Sequence, residues 1–468
     1  MSFNHTNHAL NAQRDKVKYG SPKLKIIAPC KVDNGILKLE QAAQDYYEER
    51  FHEISAPMSF FIPASGAGSR MFDFLQVELA LGKPELAENT KTFIAQLEEF
   101  AFYKVLSSSQ KEKIASFTSQ KELIDFILKD DNNGIGLGNF PKGLVPFHSY
   151  AEGQNSAFYE HLRQGIALSE KQINFHFTIQ KIHKEDFEEA LLNFKSKHHE
   201  AFNVSFSFQD SATDAFVFDA NHNPILAHDN TYLRRPSGHG ALLSNLNALT
   251  EQYILIKNID NVQHESVAGS GIRVWRILCG ILYSVKNELR EIYENPDHKR
   301  LKSVCEEFKL FSDEEIEAAR DETYLKQLVN KPIRICGMVL NEGKSGGGPF
   351  HVDLKGEKSK QIVEGVQVTG TEQQDIFNSS THFNPVMMAL DTCDINGKKI
   401  DLTGFSNEDQ YFVVRKNYEG KEVTFIERPG LWNGSMCYWN TIFIEIPSET
   451  FTPVKTVLDL LRPAHQPH

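Results

Sequence analysis

The chain has no closely spaced cysteine pair. Cys30, Cys279, Cys305, Cys336, Cys393 and Cys437 stand far apart with no C-x-x-C among them, which argues against a structural zinc site and suits thiols in a reducing compartment. A long apolar run is missing too. The longest, Val274 to Val285, is interrupted by Arg276 and is too short to cross a bilayer. The first twenty residues carry Asn, His, Arg and Lys without a continuous apolar stretch, so neither a secretory signal nor a membrane anchor is expected, and the cytoplasm follows by elimination. Positive charge is scarce: 50 Lys and Arg against 62 Asp and Glu give a net charge of -12, with no basic stripe. A nucleic-acid partner is therefore disfavoured.

Catalytic signatures are equally sparse. The eighteen histidines include no H-E-x-x-H, and His198-His199 lies in a charged segment. The G-x-S-x-G spacing occurs only at Gly343 to Gly347, in a glycine run that does not readily open a helix, and Cys437 has no histidine partner identifiable by sequence, so covalent catalysis has no support. Gly343-Lys344-Ser345 looks like the end of a P-loop, but the upstream glycine falls at Met338 and Gly346 to Pro349 does not readily open a helix, so no Walker motif is assigned.

What is present is a globular composition. Apolar residues make up 40% and charged residues 24%, enough hydrophobic surface to offset the ordering entropy. At 468 residues the chain exceeds the size at which one core keeps growing, so a main α/β domain with an insertion or second lobe is expected. Met58 to Ile62 reads as a buried strand, followed by a Gly/Ser loop and a helical pattern from Met71 through Leu79. Ile173, Phe175, Phe177 and Ile179 alternate with polar residues; Phe187, Ala190, Leu191 and Phe194 recur at helical spacing; Val204, Phe206 and Phe208 alternate again. Asn155 or Ser156 is placed to cap a helix. A turn at Ala220 to Pro224 suggests a hairpin, and Leu242, Leu246 and Leu249 share a helix face before a strand at Tyr253 to Lys257. Repeated alternation of this kind implies a largely parallel sheet. A long helical pattern runs from Ile272 to Tyr293, and Ser312 with Glu315 forms a capping box for another helix. The expected fold class is α/β: a Rossmann-like mixed, largely parallel sheet flanked by helices. Its expected parts are an N-terminal extension at 1–49, a core at 50–264, a helical insertion at 265–330 and a C-terminal α/β portion at 331–468.

The strongest local signal is Pro63-Ala64-Ser65-Gly66-Ala67-Gly68-Ser69-Arg70-Met71, between a buried strand and a helix where backbone amides converge. Glycines let the chain approach a phosphate closely, the helix N-terminus favours negative charge, and Arg70 adds a forked cation. A tight turn without a ligand is the alternative. The dinucleotide fingerprint needs a third glycine where Met71 stands, which disfavours a nicotinamide or flavin. Asn139-Phe140-Pro141-Lys142-Gly143-Leu144-Val145-Pro146 holds a lysine between a proline and a glycine. Lys142 is a candidate phosphate clamp, with a solvated turn lysine as the alternative.

These two motifs resemble those of the sugar-phosphate nucleotidyltransferases, whose opening loop looks like L-A-A-G-x-G-T-R-M and is followed by P-K-x-L-x-P. Here Ser69 stands where threonine is usual, and Pro63 and Ser65 also depart from the pattern. From Met58 to His468 the chain is similar to an uncharacterised bacterial family, a domain of unknown function sharing this nucleotide-diphospho-sugar transferase fold. Arg235-Pro236-Ser237-Gly238-His239-Gly240, followed by Ile256-Lys257-Asn258-Ile259-Asp260-Asn261, is similar to the P-x-G-x-G-G segment near the uracil and the later D-N of UDP-sugar pyrophosphorylases.

The resemblance implies a nucleotidyltransferase joining an NTP, with UTP the leading nucleotide, to a sugar 1-phosphate with release of pyrophosphate. The C-terminal portion would complete the acceptor side. Arg70 and Lys142 would be catalytic; Ser65, Gly66, Ala67, Gly68, Ser69, Gly238 and Gly240 would bind the nucleotide. Thr381 and Asn384, in a polar run where related enzymes place sugar contacts, would bind the sugar, although hydrogen bonds that shape a loop explain them equally well. Asp260, at a strand end, is where Mg²⁺ would be held by oxygen; a turn-capping aspartate is the alternative, and Asp353 and Asp391 are possibilities for a second carboxylate. Trp432 and Trp439 offer a carbohydrate surface or, more simply, core packing. Two other functions stay open: a nucleotide or nucleotide-sugar binding regulator without turnover, and a glycosyltransferase, for which Asn258-Ile259-Asp260 supplies half of the usual D-x-D pair. The sugar and the oligomeric state are not specified.

Overall fold

The computed structural model describes residues 3–81, 85–131, 134–343 and 346–467. Lys344 and Ser345 of the rejected P-loop lie outside them. The chain divides into two compact units built from interleaved stretches: 1–56, 209–255 and 277–446 form the first, and 57–208, 256–276 and 447–468 the second. The division falls inside the strand Tyr253–Lys257 and inside the helix Gly269–Glu294. Each unit holds a largely parallel run of strands with helices, and the fold is mixed α/β.

In the second unit the strand Met58–Pro63 pairs in parallel with Ile173–Thr178, and that strand pairs in parallel with Phe202–Ser207. Parallel neighbours need crossovers, and helices supply them. A single 3-10 turn, Gly68–Phe72, leads into the helix Asp73–Leu81, and Lys184–Lys197 joins the second strand to the third. The helix Ala157–Ile166 is capped by Ser156, whose side chain accepts from Tyr159 N. The alternating phenylalanines expected of a strand are core residues: Phe175 and Phe177 are almost wholly buried, as are Phe158 and Phe187. Phe60 stacks on Phe175 with centroids 5.6 Å apart. Each such burial contributes roughly 1.5–3 kcal/mol, so this aromatic layer is the platform on which the strand ends stand. Matching registers bring Pro63 beside Thr178 and Thr178 beside Ser207, so three loops leave the same carboxyl edge, the edge at which open α/β sheets bind ligands.

In the first unit Ile333–Leu340 pairs in parallel with Asn440–Glu445, which pairs in parallel with Gly35–Leu37; Met387–Asp391 adds an antiparallel neighbour. A separate antiparallel sheet contains Lys25–Pro29, Gly348–Leu354 and Glu357–Val363. The N-terminal helix Phe3–Tyr19 is part of this unit's core, with Leu10 and Val17 buried among Phe216, Phe218, Val423 and Phe425. Where a hairpin was expected, Asp219 N bonds Asn223 O, and the short paired strands are Ala215–Phe216 and Arg234–Arg235. Ser312 and Glu315 form the expected capping box.

Candidate active site

The glycine loop begins at the end of Met58–Pro63 and is tied to its neighbour: Ala64 N donates to Thr178 O at 2.8 Å, and Gln180 Nε2 to Ser65 O at 2.7 Å. It then meets the loop carrying Lys142. Gly68 N donates to Phe140 O at 2.9 Å and Lys142 N to Gly66 O at 3.1 Å, with Ala67 and Pro141 bridged between them. Gly68 must be glycine for this approach, since a Cβ there would stand 2.4 Å from Phe140 O. No side chain caps the turn Gly68–Phe72, so its leading edge stays open to an anion. Arg70 is exposed, and its Nη2 lies 3.5 Å from where a Gly66 Cβ would be; the guanidinium thus hangs over the loop's own glycine.

Lys142 opens the single turn Lys142–Leu144. Gly143 lets this turn press against Phe187 and Ile259, because an added Cβ would sit 3.1 Å from one and 3.3 Å from the other. Ile259 precedes Asp260, and the Lys142 ammonium lies 2.9 Å from Asp260 Oδ2. A second ammonium, Lys455 Nζ, lies 2.9 Å from the same oxygen. Lys142 and Asp260 are nearly buried, with side chains 12% and 11% exposed, whereas Lys455 is 63% exposed. Burial pulls the Lys142 amine below its ordinary value, partly countered by Asp260, while Lys455 and Arg70 push it further down. For Asp260 burial alone would raise the carboxyl, but the two lysines hold it below the ordinary value. Two cations on one oxygen, beside a third over the glycine loop, make a compact positive site that the net charge of the chain conceals.

The structure therefore brings Ser65, Gly66, Ala67, Gly68, Ser69, Arg70, Lys142 and Asp260 together. Lys455 was missed by sequence reasoning. It lies in Pro453-Val454-Lys455-Thr456, which has no glycine, and its partner is 195 residues away.

Gly238, Gly240, Thr381 and Asn384 are in the first unit. Gly238 has φ +75, and a Cβ on Gly240 would be 2.0 Å from Pro429 O, so backbone packing alone demands both glycines. His239 between them stacks on Trp432 with centroids 4.1 Å apart; Trp439 is buried. Thr381 Oγ1 is 2.9 Å from His382 Nδ1, and Asn384 Oδ1 accepts from Val386 N at 3.0 Å. Asp353 pairs with Lys25, and buried Asp391 accepts from Gln252 and Cys393 N, so both carboxylates already have partners.

Among the described residues no group of three or more His, Cys, Asp or Glu side chains converges as a metal site. Asp260 Oδ1 is buried without a hydrogen-bond partner. One spare carboxylate oxygen, beside an oxygen that two ammoniums share, does not fit a cation bound by the protein alone. It does fit a Mg²⁺ carried in on phosphate oxygens, for which a single protein carboxylate suffices.

A model of one protein family matches residues 2–466 of the chain. The chain belongs to that family, described as Domain of unknown function (DUF4301). No curated protein matches. Among solved structures, this member of the DUF4301 family is similar to the uridine diphosphate N-acetylglucosamine pyrophosphorylase of Trypanosoma brucei in complex with inhibitor. The identity is 12%, over 99% of this chain and 76% of that one, with a TM-score of 0.52. A UDP-glucose phosphorylase from Trypanosoma brucei matches at 12% identity over 98% and 75% of the two chains, with a TM-score of 0.44. The first of these likenesses shows a fold held in common with that pyrophosphorylase.

Proposed function

We propose that this chain joins a nucleoside triphosphate, UTP, to a sugar 1-phosphate and releases pyrophosphate. The observation that carries this is the pair of lysines on Asp260 hydrogen-bonded, through the Lys142 loop, to the glycine turn. The fold held in common with a UDP-N-acetylglucosamine pyrophosphorylase supports the choice of reaction and of uracil.

An oxygen of the sugar phosphate attacks the α-phosphorus, a new P–O bond forms, and the bond to the bridging oxygen breaks as pyrophosphate leaves with the electron pair. No covalent intermediate is needed, so the protein aligns two anions and neutralises charge. The backbone amides of Ser65, Gly66, Ala67 and Ser69 receive the phosphates, with Gly68 holding the turn against Phe140 O, while Arg70, Lys142 and Lys455 approach the non-bridging oxygens. A Mg²⁺ arriving with the triphosphate would add charge neutralisation, with Asp260 Oδ1 as its protein donor. Gly238 and Gly240 are assigned to the base, and Thr381 and Asn384 to the sugar, on motif resemblance alone. Six unpaired, buried cysteines support a cytoplasmic setting.

The test is a pyrophosphate-release screen of nucleoside triphosphates against sugar 1-phosphates with Mg²⁺. Release with UTP and one sugar phosphate is expected; no release and no calorimetric binding of any triphosphate would overturn the proposal. The single spare carboxylate oxygen also suits a regulator that binds nucleotide without turnover, and binding without pyrophosphate release identifies it.

A further inference from the structure

The last stretch of the second unit is a strap laid over Asp260. Val454 N donates to Asp260 O and Thr452 N to Asn261 Oδ1, each at 3.0 Å, and His264 N donates to Ala464 O at 2.8 Å. Val454, Val457 and Leu460 are buried, and Asp459 Oδ2 accepts from both Lys455 N and Thr456 N at 2.8 Å. The Lys455 side chain itself is largely solvent-exposed. A long, exposed ammonium stays in one place only where its backbone is fixed, because several rotatable bonds otherwise spread it.

His465, 1% exposed, adds a side-chain tie across the strap at Thr452. Its Nε2 is 2.9 Å from Thr452 O and its Nδ1 is 2.9 Å from His148 Nε2. The acceptors assign the protons. A carbonyl only accepts, so His465 Nε2 bears hydrogen. Burial, with the neighbouring His148, lowers the His465 pKa to about 3, so the ring is neutral and Nδ1 accepts from His148 Nε2. His148 Nδ1 then faces Glu160 Oε1 at 3.0 Å, both side chains wholly buried. The Glu160 carboxyl thus lies against the far edge of the His148 ring. Glu160 Oε1 also accepts from Tyr150 Oη at 2.6 Å and Asn155 Nδ2 at 3.2 Å. Donation thus runs from His148 Nε2 to His465 Nδ1 and from His465 Nε2 to Thr452 O, and the row ends three residues before Lys455.

We propose that His465 is a positioning residue: it clasps the strap at Thr452 and so holds the Lys455 ammonium at Asp260, with Glu160 and His148 orienting its donor. This rests on the reading that Lys455 receives phosphate. It is separable from that reading, because the ligand-free protein also reports on the position of Lys455.

The experiment compares His465→Phe, which keeps the ring and removes both bonds, with His465→Gln, whose amide donates to Thr452 O. Acylation of Lys455 by an amine-reactive ester is followed by mass spectrometry in the absence of nucleotide, with exposed Lys181 as control, alongside kcat and KM for pyrophosphate release. His465→Phe is expected to label Lys455 several-fold faster with Lys181 unchanged, and to lower kcat about tenfold with KM for the nucleotide nearly constant. His465→Gln should restore both. In a Lys455→Ala background His465→Phe should cost nothing further, as coupled residues do. Wild-type labelling in His465→Phe, or losses that multiply in the double variant, overturn the proposal. If His465→Phe does not fold, His465→Gln decides it, since fast labelling with the donor retained overturns the clasp. If the unaltered protein neither binds triphosphate nor releases pyrophosphate, the proposed function fails and labelling alone judges the clasp.

Discussion

Replacing Asp260 by asparagine takes one negative charge from between two positive ones and changes little in shape. Asp260 Oδ2 lies 2.9 Å from both ammoniums, and the side chains of Asp260 and Lys142 are nearly buried. Removing one member of a buried pair costs about 3–5 kcal/mol, because the other charge is left without compensation. The exposed Lys455 adds roughly 0–1 kcal/mol, since water screens it. We expect a loss of about 3 kcal/mol at pH 6, which for a unit of this size lowers Tm by roughly 6–12 °C. The sign of the pH dependence follows from Lys142. Burial already depresses its pKa and Asp260 partly restores it, so in Asp260→Asn the folded value falls further below that of the unfolded chain. A depressed lysine contributes stability that is present above the unfolded value and lost as pH falls through the folded one. The variant should therefore be most impaired at pH 6 and recover towards the unaltered protein as pH rises through the alkaline range. Thermal melts of both proteins from pH 6 to 10 measure this. A Tm within 2 °C at pH 6, on the order of 0.5 kcal/mol, or a deficit that grows with pH, would refute the reasoning.

If the proposed activity is present, Lys142→Ala should lower pyrophosphate release about 10²–10³-fold, the usual loss for one preorganised charge donor, yet destabilise less than Asp260→Asn because Lys455 still pairs with the carboxylate; release within threefold of the unaltered protein, roughly 0.6 kcal/mol, would remove Lys142 from the chemistry. Gly68→Ala forces a methyl group to 2.4 Å from Phe140 O, so a loss of about 1–3 kcal/mol and weaker triphosphate binding by calorimetry are expected together. Lys257, 5% exposed, has its pKa lowered by burial from 10.5 to about 8. Its contribution to stability should accordingly increase between those two pH values, and Lys257→Met should flatten that rise in melting experiments.

Much of the second unit was legible in the sequence because its strands carry a period of two and its helices a period of 3.6. Ile173, Phe175 and Phe177 announced a strand, and Phe187 and Phe194 a helix; both stand in the structure. The glycine turn was legible for a local reason, since its glycines stand in one short stretch between a buried strand and a helix. Lys455 was not, because its significance arises wholly from a contact with a residue 195 positions away. His148, Glu160 and His465 were invisible for the same reason, and histidines are common enough in this chain to hide these two. The interleaving of the two units also escapes a linear reading: boundaries drawn at 49, 264 and 330 assume contiguous domains, whereas the second unit takes its final stretch from residues 447–468. Gly238 and Gly240 teach the opposite caution, because the main chain at 429 accounts for a glycine at 240 without any bound molecule.

The carboxylate shared by the two lysines is a resident counter-ion. Bare ammoniums held that close would repel one another. Here their spacing is kept by a partner that cannot diffuse away. Under the proposed function an arriving phosphate would have to compete with that partner, a contest that favours a multiply charged anion over a singly charged one.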